Sequence, residues 1–581
     1  MKSKWFAFGC LTSVALIIIV ILMISSFFGS TGKMLQKPLP EKITSGSWLK
    51  IDIMGRIVDY DEFEGSPFAG PFSSKKTSVH SICHKINKAS MDSKIKGIIL
   101  EPKFLTSGYA NINEIMAALE NFKTKGKEIY AYLELAMDKD YLLSTVADKI
   151  YLNPSASAGI LLTGVGGEIL FYKDFFDKIG VEVKVIHAGQ YKGAGENYSR
   201  NRLSEPVREN LEELFSDIYG SILSKIATNR RIDFNTIIDL YEKREEIFIK
   251  QENALESNLI DKLSHKEDFY NAIGVIPKKI ISYSDYKIPV LKKSDSNIAV
   301  VYAQGAIMMQ SQGFDTVNIT DTNLNSILNK IEKDNSIKGV VIRVNSPGGS
   351  ALISENIHSK IKNLRAVKPV VISMGNVAAS GGYYISAESD YIFADPYTVT
   401  GSIGVVAMIP NIAGLTDKLG IHKDSISRGK YADAISIYSK LDDSMKKSLK
   451  MSIEDTYTEF KERVSEGRGI SVSEVEQIAQ GQVWSADNAV QNHLIDETGI
   501  LNNAISKAAD LAEVKEFTIK YYPEQKNFFT EFLKNKFSFG IAETFISNEI
   551  IEDQTMMNAL RLLKSIKNDP QQAILLFELK N

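Results

Sequence analysis

The sequence predicts an α/β protein: two tandem domains of one plan, each on a parallel sheet, behind an apolar N-terminal segment. One observation is rhythm. Short Val- and Ile-rich runs alternate with stretches of helical spacing: Ile298-Ala299-Val300-Val301-Tyr302, then 321–333, then Val340-Val341-Ile342, then 351–364, then Pro369-Val370-Val371-Ile372-Ser373. Such alternation marks βαβ units whose strands are buried on both faces. The other observation is duplication, because landmarks between about 48 and 275 return in the same order between about 296 and 508. Ile95-Lys96-Gly97 answers to Ile337-Lys338-Gly339, and Ala147-Asp148-Lys149-Ile150-Tyr151 to Ser389-Asp390-Tyr391-Ile392-Phe393. Asp177-Lys178-Ile179-Gly180 answers to Asp417-Lys418-Leu419-Gly420, and Leu259-Ile260-Asp261 to Leu494-Ile495-Asp496. The offset drifts slowly, as it does between two copies separated by small insertions and deletions.

Composition allows this architecture and excludes others. With 581 residues and 44% hydrophobic content the chain can bury large cores. The 68 Lys+Arg against 71 Asp+Glu leave a net charge of −3, so no basic field exists to hold nucleic acid. Only two cysteines occur, Cys10 and Cys83, which excludes a disulfide framework and a cysteine-based zinc site.

Taken in chain order, the first element runs from Trp5 to Phe28 without a charge, long enough to span a bilayer as a helix. Lys2 and Lys4 precede it and predict that the tail stays cytoplasmic while the bulk is extracytoplasmic; Lys33 and Lys37 on the far side oppose that bias. A cleaved secretory signal is the other reading, but Ser25-Ser26-Phe27-Phe28-Gly29-Ser30 matches a small-residue cleavage site poorly. The expected division is 1–46 for tail, anchor and linker, 47–285 for the first domain, 286–520 for the second and 521–581 for a helical tail. Within the domains, 204–229 and 440–466 carry apolar residues at helical spacing and predict two long helices.

Chemistry is sought where one copy keeps an unusual residue and the other has lost it. In Gly375-Asn376-Val377-Ala378-Ala379-Ser380-Gly381-Gly382-Tyr383 the small neighbours leave the Ser380 hydroxyl uncrowded, and a helix is expected to follow. The first copy has Asp138 in that register. Conversely, Lys192 in His187-Ala188-Gly189-Gln190-Tyr191-Lys192-Gly193-Ala194 faces Ala432 of the second copy. One half thus offers a nucleophile and the other a base, since a lysine whose pKa is lowered by burial can accept a serine proton. After Val344, Asn345-Ser346-Pro347-Gly348-Gly349-Ser350 has adjacent glycines whose N–H groups can face an oxyanion, where the first copy has Pro102-Lys103-Phe104-Leu105-Thr106-Ser107-Gly108. Taken singly, each feature has a plain reading as well: a capping serine, a solvated lysine, a Pro-Gly turn.

In combination, Asn345-Ser346-Pro347-Gly348-Gly349, Ala378-Ala379-Ser380-Gly381-Gly382-Tyr383 and Thr400-Gly401-Ser402-Ile403-Gly404-Val405 resemble the signal peptide peptidase A family, also called protease IV, in its long duplicated form. The resemblance covers nearly the whole chain. It implies two ClpP/crotonase-like domains and a Ser-Lys dyad with Ser380 as nucleophile and Lys192 as general base. It further implies that Ser402 orients the lysine and that Gly348 and Gly349 line the oxyanion hole. A departure is Gly193, where related sequences often have Ser after the lysine. The implied substrates are hydrophobic remnants of cleaved signal peptides and some misfolded or mislocalised proteins. The implied setting is a bacterial inner membrane with the catalytic part on the periplasmic side, and the implied assembly a homotetramer. No metal or organic cofactor is expected.

Other classes stay open at this level. A Ser-His-Asp hydrolase would draw on His187, His358, His422 or His493, none in a recognisable triad context. His80 and His84 have i,i+4 spacing but no evident third ligand for a metal. A crotonase-like acyl-CoA enzyme or a catalytically silent membrane scaffold would use the same fold without needing Lys192.

Overall fold

The computed structural model describes residues 43–61, 77–287, 294–310, 318–429, 431–434, 436–524 and 571–574. The apolar run Trp5–Phe28 lies outside the described residues, and among those described no helix is long and apolar enough to cross a membrane.

The first repeat contributes β1 (Ser47–Met54), β2 (Ile95–Lys103), β3 (Glu128–Leu133), β4 (Lys149–Leu152), β5 (Glu182–Ala188), β6 (Lys262–Leu263) and β7 (Ile280–Ser282). All but β5 form one parallel sheet of order β6-β4-β3-β2-β1-β7. The second repeat contributes β8 (Asn297–Gln304), β9 (Ile337–Ser346), β10 (Gly348–Ser350), β11 (Val370–Ala379), β12 (Tyr391–Ala394), β13 (Val399–Gly401), β14 (Val405–Asn411), β15 (Val483–Ser485), β16 (Glu497–Thr498) and β17 (Thr518–Tyr522). Its sheet has the order β15-β13-β11-β9-β8-β17, with β12 also beside β11 and β16 beside β12. Only the β15–β13 pair is antiparallel.

Helices α1 (Val79–Met91), α2 (Tyr109–Lys123), α3 (Asp138–Ser144) and α4 (Glu205–Arg230) belong to the first repeat. Helices α5 (Asp321–Lys333), α6 (Ala351–Arg365), α7 (Gly381–Tyr384) and α8 (Asp443–Arg468) belong to the second. Sequence sets their starts. Ser78, Thr320 and Ser350 accept the N–H of Ser81, Asn323 and Ile353, each satisfying an amide that a helix N-terminus leaves unpaired. Helices α2 and α6 have equal length, 15 residues, and begin 242 residues apart, the same offset as β2 and β9. The long helices expected over 204–229 and 440–466 are α4 and α8, 26 residues each.

The repeats interlock. Ala379, Tyr397, Val399 and Val483 of the second repeat are buried in the core that holds Leu100, Ile115, Leu119 and Phe122 of the first. Asn210 on α4 brackets β15, donating to Val483 O at 2.9 Å and accepting from Val483 N at 2.8 Å. A third sheet of order β10-β18-β14-β5 crosses the boundary, β18 being Gln571–Ile574. Here β5 runs antiparallel to β14 from Ala188↔Val405 to Glu182↔Asn411.

Strand β17 continues past the expected boundary at 520, to Tyr522, alongside β8 and completes that sheet. Most of the expected helical tail lies outside the described residues; within it Gln571–Ile574 form a strand, β18, with hydrogen-bonding edges from β10 and β14 on both sides. The helix expected after Ser380 is present as a single turn, α7.

Beneath that turn, Phe460 of α8 is fully buried with its ring 4.5 Å from Tyr384. Truncation to Ala would leave a cavity costing about 3–5 kcal/mol. A Phe460→Ala variant is therefore expected to show a clearly lowered denaturation midpoint by circular dichroism.

Candidate active site

Strand β11 delivers Ser380 at its end in a conformation unusual for a residue with a side chain, φ 55° and ψ −119°. Such strain persists only where the surroundings over-determine it. Ser380 N donates to Gly401 O at 2.8 Å, and Tyr384 N donates to Ser380 O at 2.8 Å. The glycines that follow are demanded by packing as well as by access: a β-carbon on Gly381 would lie 2.6 Å from Ser354 Oγ, and one on Gly382 2.6 Å from Ser346 O.

Lys192 arrives from the other repeat. Strand β5 carries the chain along β14, and the loop after it is fastened to the second repeat: Tyr191 N donates to Gln480 O at 2.8 Å and Gln190 N to Gln480 Oε1 at 3.3 Å. Gly481 (φ 81°) lies so close that a β-carbon there would sit 2.6 Å from the Lys192 backbone. Residues 480–482 carry no motif or periodicity that marks them in the sequence, and Gln480 and Gly481 both adopt positive φ here.

The lysine Nζ lies 2.6 Å from Ser380 Oγ, 2.9 Å from Ser402 O and 3.0 Å from Ser402 Oγ. Lys192 and Ser402 are each 2% exposed and Ser380 is 0% exposed. Ser402 is held by its own positive φ of 53° and by donating its N–H to Gln482 O at 2.7 Å. No carboxylate is among the amine's hydrogen-bond partners in the described residues. Burial therefore acts unopposed and brings the Lys192 pKa down to about 7 from 10.5. A neutral amine has two N–H groups, which Ser402 O and Oγ can accept, leaving its lone pair toward Ser380 Oγ.

The glycine loop abuts this pair. A β-carbon on Gly381 would lie 3.2 Å from Gly348 Cα and 3.2 Å from Gly349 N. Gly349, at φ 153°, passes so close to Ile307 O that a side chain would collide with it. Gly348 N already donates to Ser346 Oγ at 3.2 Å.

In the first repeat Asp138 is buried at the counterpart of Ser380, where its carboxylate accepts from Thr163 N, Thr163 Oγ1 and Gly164 N. It fastens a loop. The counterpart of Lys192, Ala432, is exposed. The histidines stand elsewhere: His187 Nδ1 contacts Gly189 O, His358 is buried against Tyr384, and His80 and His84 stack beside Tyr521. Among the described residues no three His, Cys, Asp or Glu side chains gather as a metal site.

A serine hydroxyl beside a neutral amine is chemistry suited to acyl transfer, and known proteins similar to this duplicated α/β chain are serine peptidases. The model of "Peptidase family S49" matches residues 121–275 and 362–515, one match in each repeat. "Protease 4" of Haemophilus influenzae is 32% identical over 488 residues, covering 79% of this chain and 78% of that one. "Serine protease SPPA, chloroplastic" of Arabidopsis thaliana is 31% identical over 498 residues, covering 82% and 70%. The chain belongs to peptidase family S49. Among solved structures, a membrane-bound stomatin-specific protease mutant aligns with 98% of its chain and 40% of this one, at 16% identity and a TM-score of 0.26.

Two outcomes follow. Gly481→Ala pushes the lysine loop, and a displacement near 1 Å costs on the order of a hundredfold in turnover, which steady-state assays of the folded variant will read. For stability, the folded state sheds the Lys192 proton near pH 7 and the unfolded state near 10.5, so over that window the unfolded state binds more protons and stability rises with pH. Lys192→Met is accordingly expected to raise the thermal midpoint, by more at about pH 7 than at about pH 10.

Proposed function

We propose that the chain is a membrane-anchored serine endopeptidase that uses Ser380 and Lys192 as a dyad and degrades cleaved signal peptides, together with misfolded membrane or exported proteins. The observation that carries this reading is the 2.6 Å approach of a fully buried amine to a fully buried serine hydroxyl, each from a different repeat. In the reaction the neutral Lys192 Nζ takes the Ser380 proton as Oγ attacks the peptide carbonyl. Ser402, through Oγ and O, holds the amine in line. The Gly348–Gly349 backbone receives the oxyanion, with Gly349 N–H taking the larger share because Gly348 N–H is engaged by Ser346. The ammonium then protonates the leaving amine, an acyl-enzyme remains, and water reverses the steps. No metal or organic cofactor takes part.

An extended peptide is the natural ligand for this site. Strand β18 lies antiparallel to both β10 and β14, with residue 574 beside Gly348, and supports strand addition as the binding mode. A substrate taking that slot displaces β18. The reading also takes each repeat as ClpP/crotonase-like, the Trp5–Phe28 run as a bilayer anchor in a bacterial inner membrane, the catalytic part as periplasmic, and the assembly as a homotetramer. Hydrophobic peptides and lipid are its partners, and nucleic acid is not. An acyl-CoA enzyme or a silent scaffold is less favoured, because neither has use for an amine delivered across the repeats.

The test is hydrolysis of a hydrophobic quenched-fluorescence peptide. Ser380→Ala and Lys192→Ala are each expected to lower kcat/KM by about a thousandfold or more with folding intact. For the wild type, kcat/KM is expected to rise with pH to a plateau with its midpoint near the amine's value of about 7, because only the deprotonated form can accept the serine proton. Near-normal turnover in either variant would defeat the assignment.

A further inference from the structure

Strands β9 and β11 reach the site out of step. They run in register from Val340↔Val370 to Val344↔Met374 and resume at Ser346↔Ala378, so Asn345 alone stands opposite Gly375, Asn376 and Val377. This bulge lies just before Ser380 on one strand and just before the Ser346–Gly349 loop on the other. Its geometry therefore sets the separation of nucleophile and oxyanion loop.

The first repeat clips the bulge in place. Asn345 Oδ1 accepts from Val377 N at 3.2 Å, while Asn345 Nδ2 donates to Asp59 Oδ2 at 2.7 Å. Asp59 is a first-repeat residue, 3% exposed, and its Oδ2 would lie 3.0 Å from a β-carbon on Gly375. Asn376 Nδ2 donates to Asn111 Oδ1 at 2.8 Å, and Asn111 N donates to Asn376 Oδ1 at 3.2 Å. The segment bearing Asp59 is fastened in turn, since Gln304 Nε2 donates to Tyr60 O at 2.7 Å. The other Asp59 oxygen faces Arg343 Nη2 at 3.6 Å. Arg343 Nη1 donates to Glu114 Oε1 at 2.8 Å. Matching β1 to β8 through their registers on β2 and β9 places Met309, which is exposed, at the second-repeat counterpart of Asp59. Asp59 is thus another position where the two copies differ in a way that serves one site.

We infer that Asp59 is a positioning residue of the catalytic centre. Its carboxylate fixes the Asn345 amide, the amide clips Val377, and the clip determines where β11 releases Ser380 relative to the glycine loop. A hydrogen bond to a buried carboxylate is among the stronger ones, and its loss leaves the Asn345 N–H groups without that acceptor.

This inference rests on the peptidase reading, and the experiment separates the two. Turnover of the same peptide is measured for the full chain as wild type, Ser380→Ala, Asp59→Ala, Asp59→Asn, Asn345→Ala and the Asp59→Ala/Asn345→Ala double variant, with thermal midpoints beside the kinetics. Asp59→Ala and Asn345→Ala are each expected to lower kcat about tenfold to a hundredfold with KM changed less than about threefold, since misplacement affects the transition state more than ground-state binding. The double variant is expected to be no slower than the slower single one, as for two ends of one interaction. Asp59→Asn retains an acceptor and is expected to recover most of the rate. Asn345→Ala leaves the Asp59–Arg343 contact intact and so reads the clip even if Asp59→Ala fails to fold. Wild-type-like kcat in Asn345→Ala, multiplied losses in the double variant, or Asp59→Asn as slow as Asp59→Ala would each overturn the inference. Absence of Ser380-dependent turnover in the wild type would instead overturn the peptidase reading.

Discussion

Lys192 sits where water cannot solvate a charge and where no carboxylate is bonded to it, so the fold itself favours the neutral amine. The surroundings suit that state. Ser402 supplies two oxygens for the two N–H groups, from its side chain and its carbonyl, and Ser380 faces the remaining lone pair. An ion pair at this position would stabilise the ammonium instead. A hydrated pocket would do the same. The many glycines around the site keep water and side chains out while backbone approaches backbone, which is why Gly349, Gly381, Gly382 and Gly481 each stand where a β-carbon would meet another part of the centre.

Keeping the amine dry requires two repeats to close on each other, and most of the unusual features of the chain serve that closure. The β5–β14 ladder carries the lysine loop across the boundary, Gln480 receives it, and residues of the second repeat complete the first repeat's core. Buried charge reinforces the seam: Arg343 of the second repeat meets Glu114 and Asp59 of the first with almost no exposure to solvent. Breaking such a pair from one side is far more costly than never having built it. The duplicated ancestor's redundancy has been spent in opposite directions, with Asp138 turned into a loop clamp and Ala432 left at the surface.

Much of this was legible beforehand. The alternation of Val/Ile runs with helical spacing located β8, α5 and α6 to within a residue or two and the middles of β9 and β11, whose C-terminal ends run four and six residues further, because both periodicities are local properties. The duplication was legible because its landmarks, such as Ile95-Lys96-Gly97 and Ile337-Lys338-Gly339, are the strand starts that any βαβ unit must keep. Comparing copies singled out Ser380 and Lys192, and the structure puts them within hydrogen-bond reach. What could not be read was contact between distant segments. Gln480 and Gly481 hold the lysine loop, Asp59 meets Asn345, and Gln571–Ile574 pairs as a strand between β10 and β14. None of these leaves a periodic trace.

Because Lys192 precedes Ser380 by 188 positions and its loop rests on Gln480, the centre has an order of assembly written into its covalent connectivity. During synthesis the lysine-bearing half emerges first, ahead of the residues that bury its amine, and an amine open to water is protonated at neutral pH. The serine-bearing half then emerges, and Gln480, which receives the backbone of the lysine loop, comes out about three hundred residues behind it. A polypeptide still short of that point carries both side chains without the enclosure that holds the amine neutral.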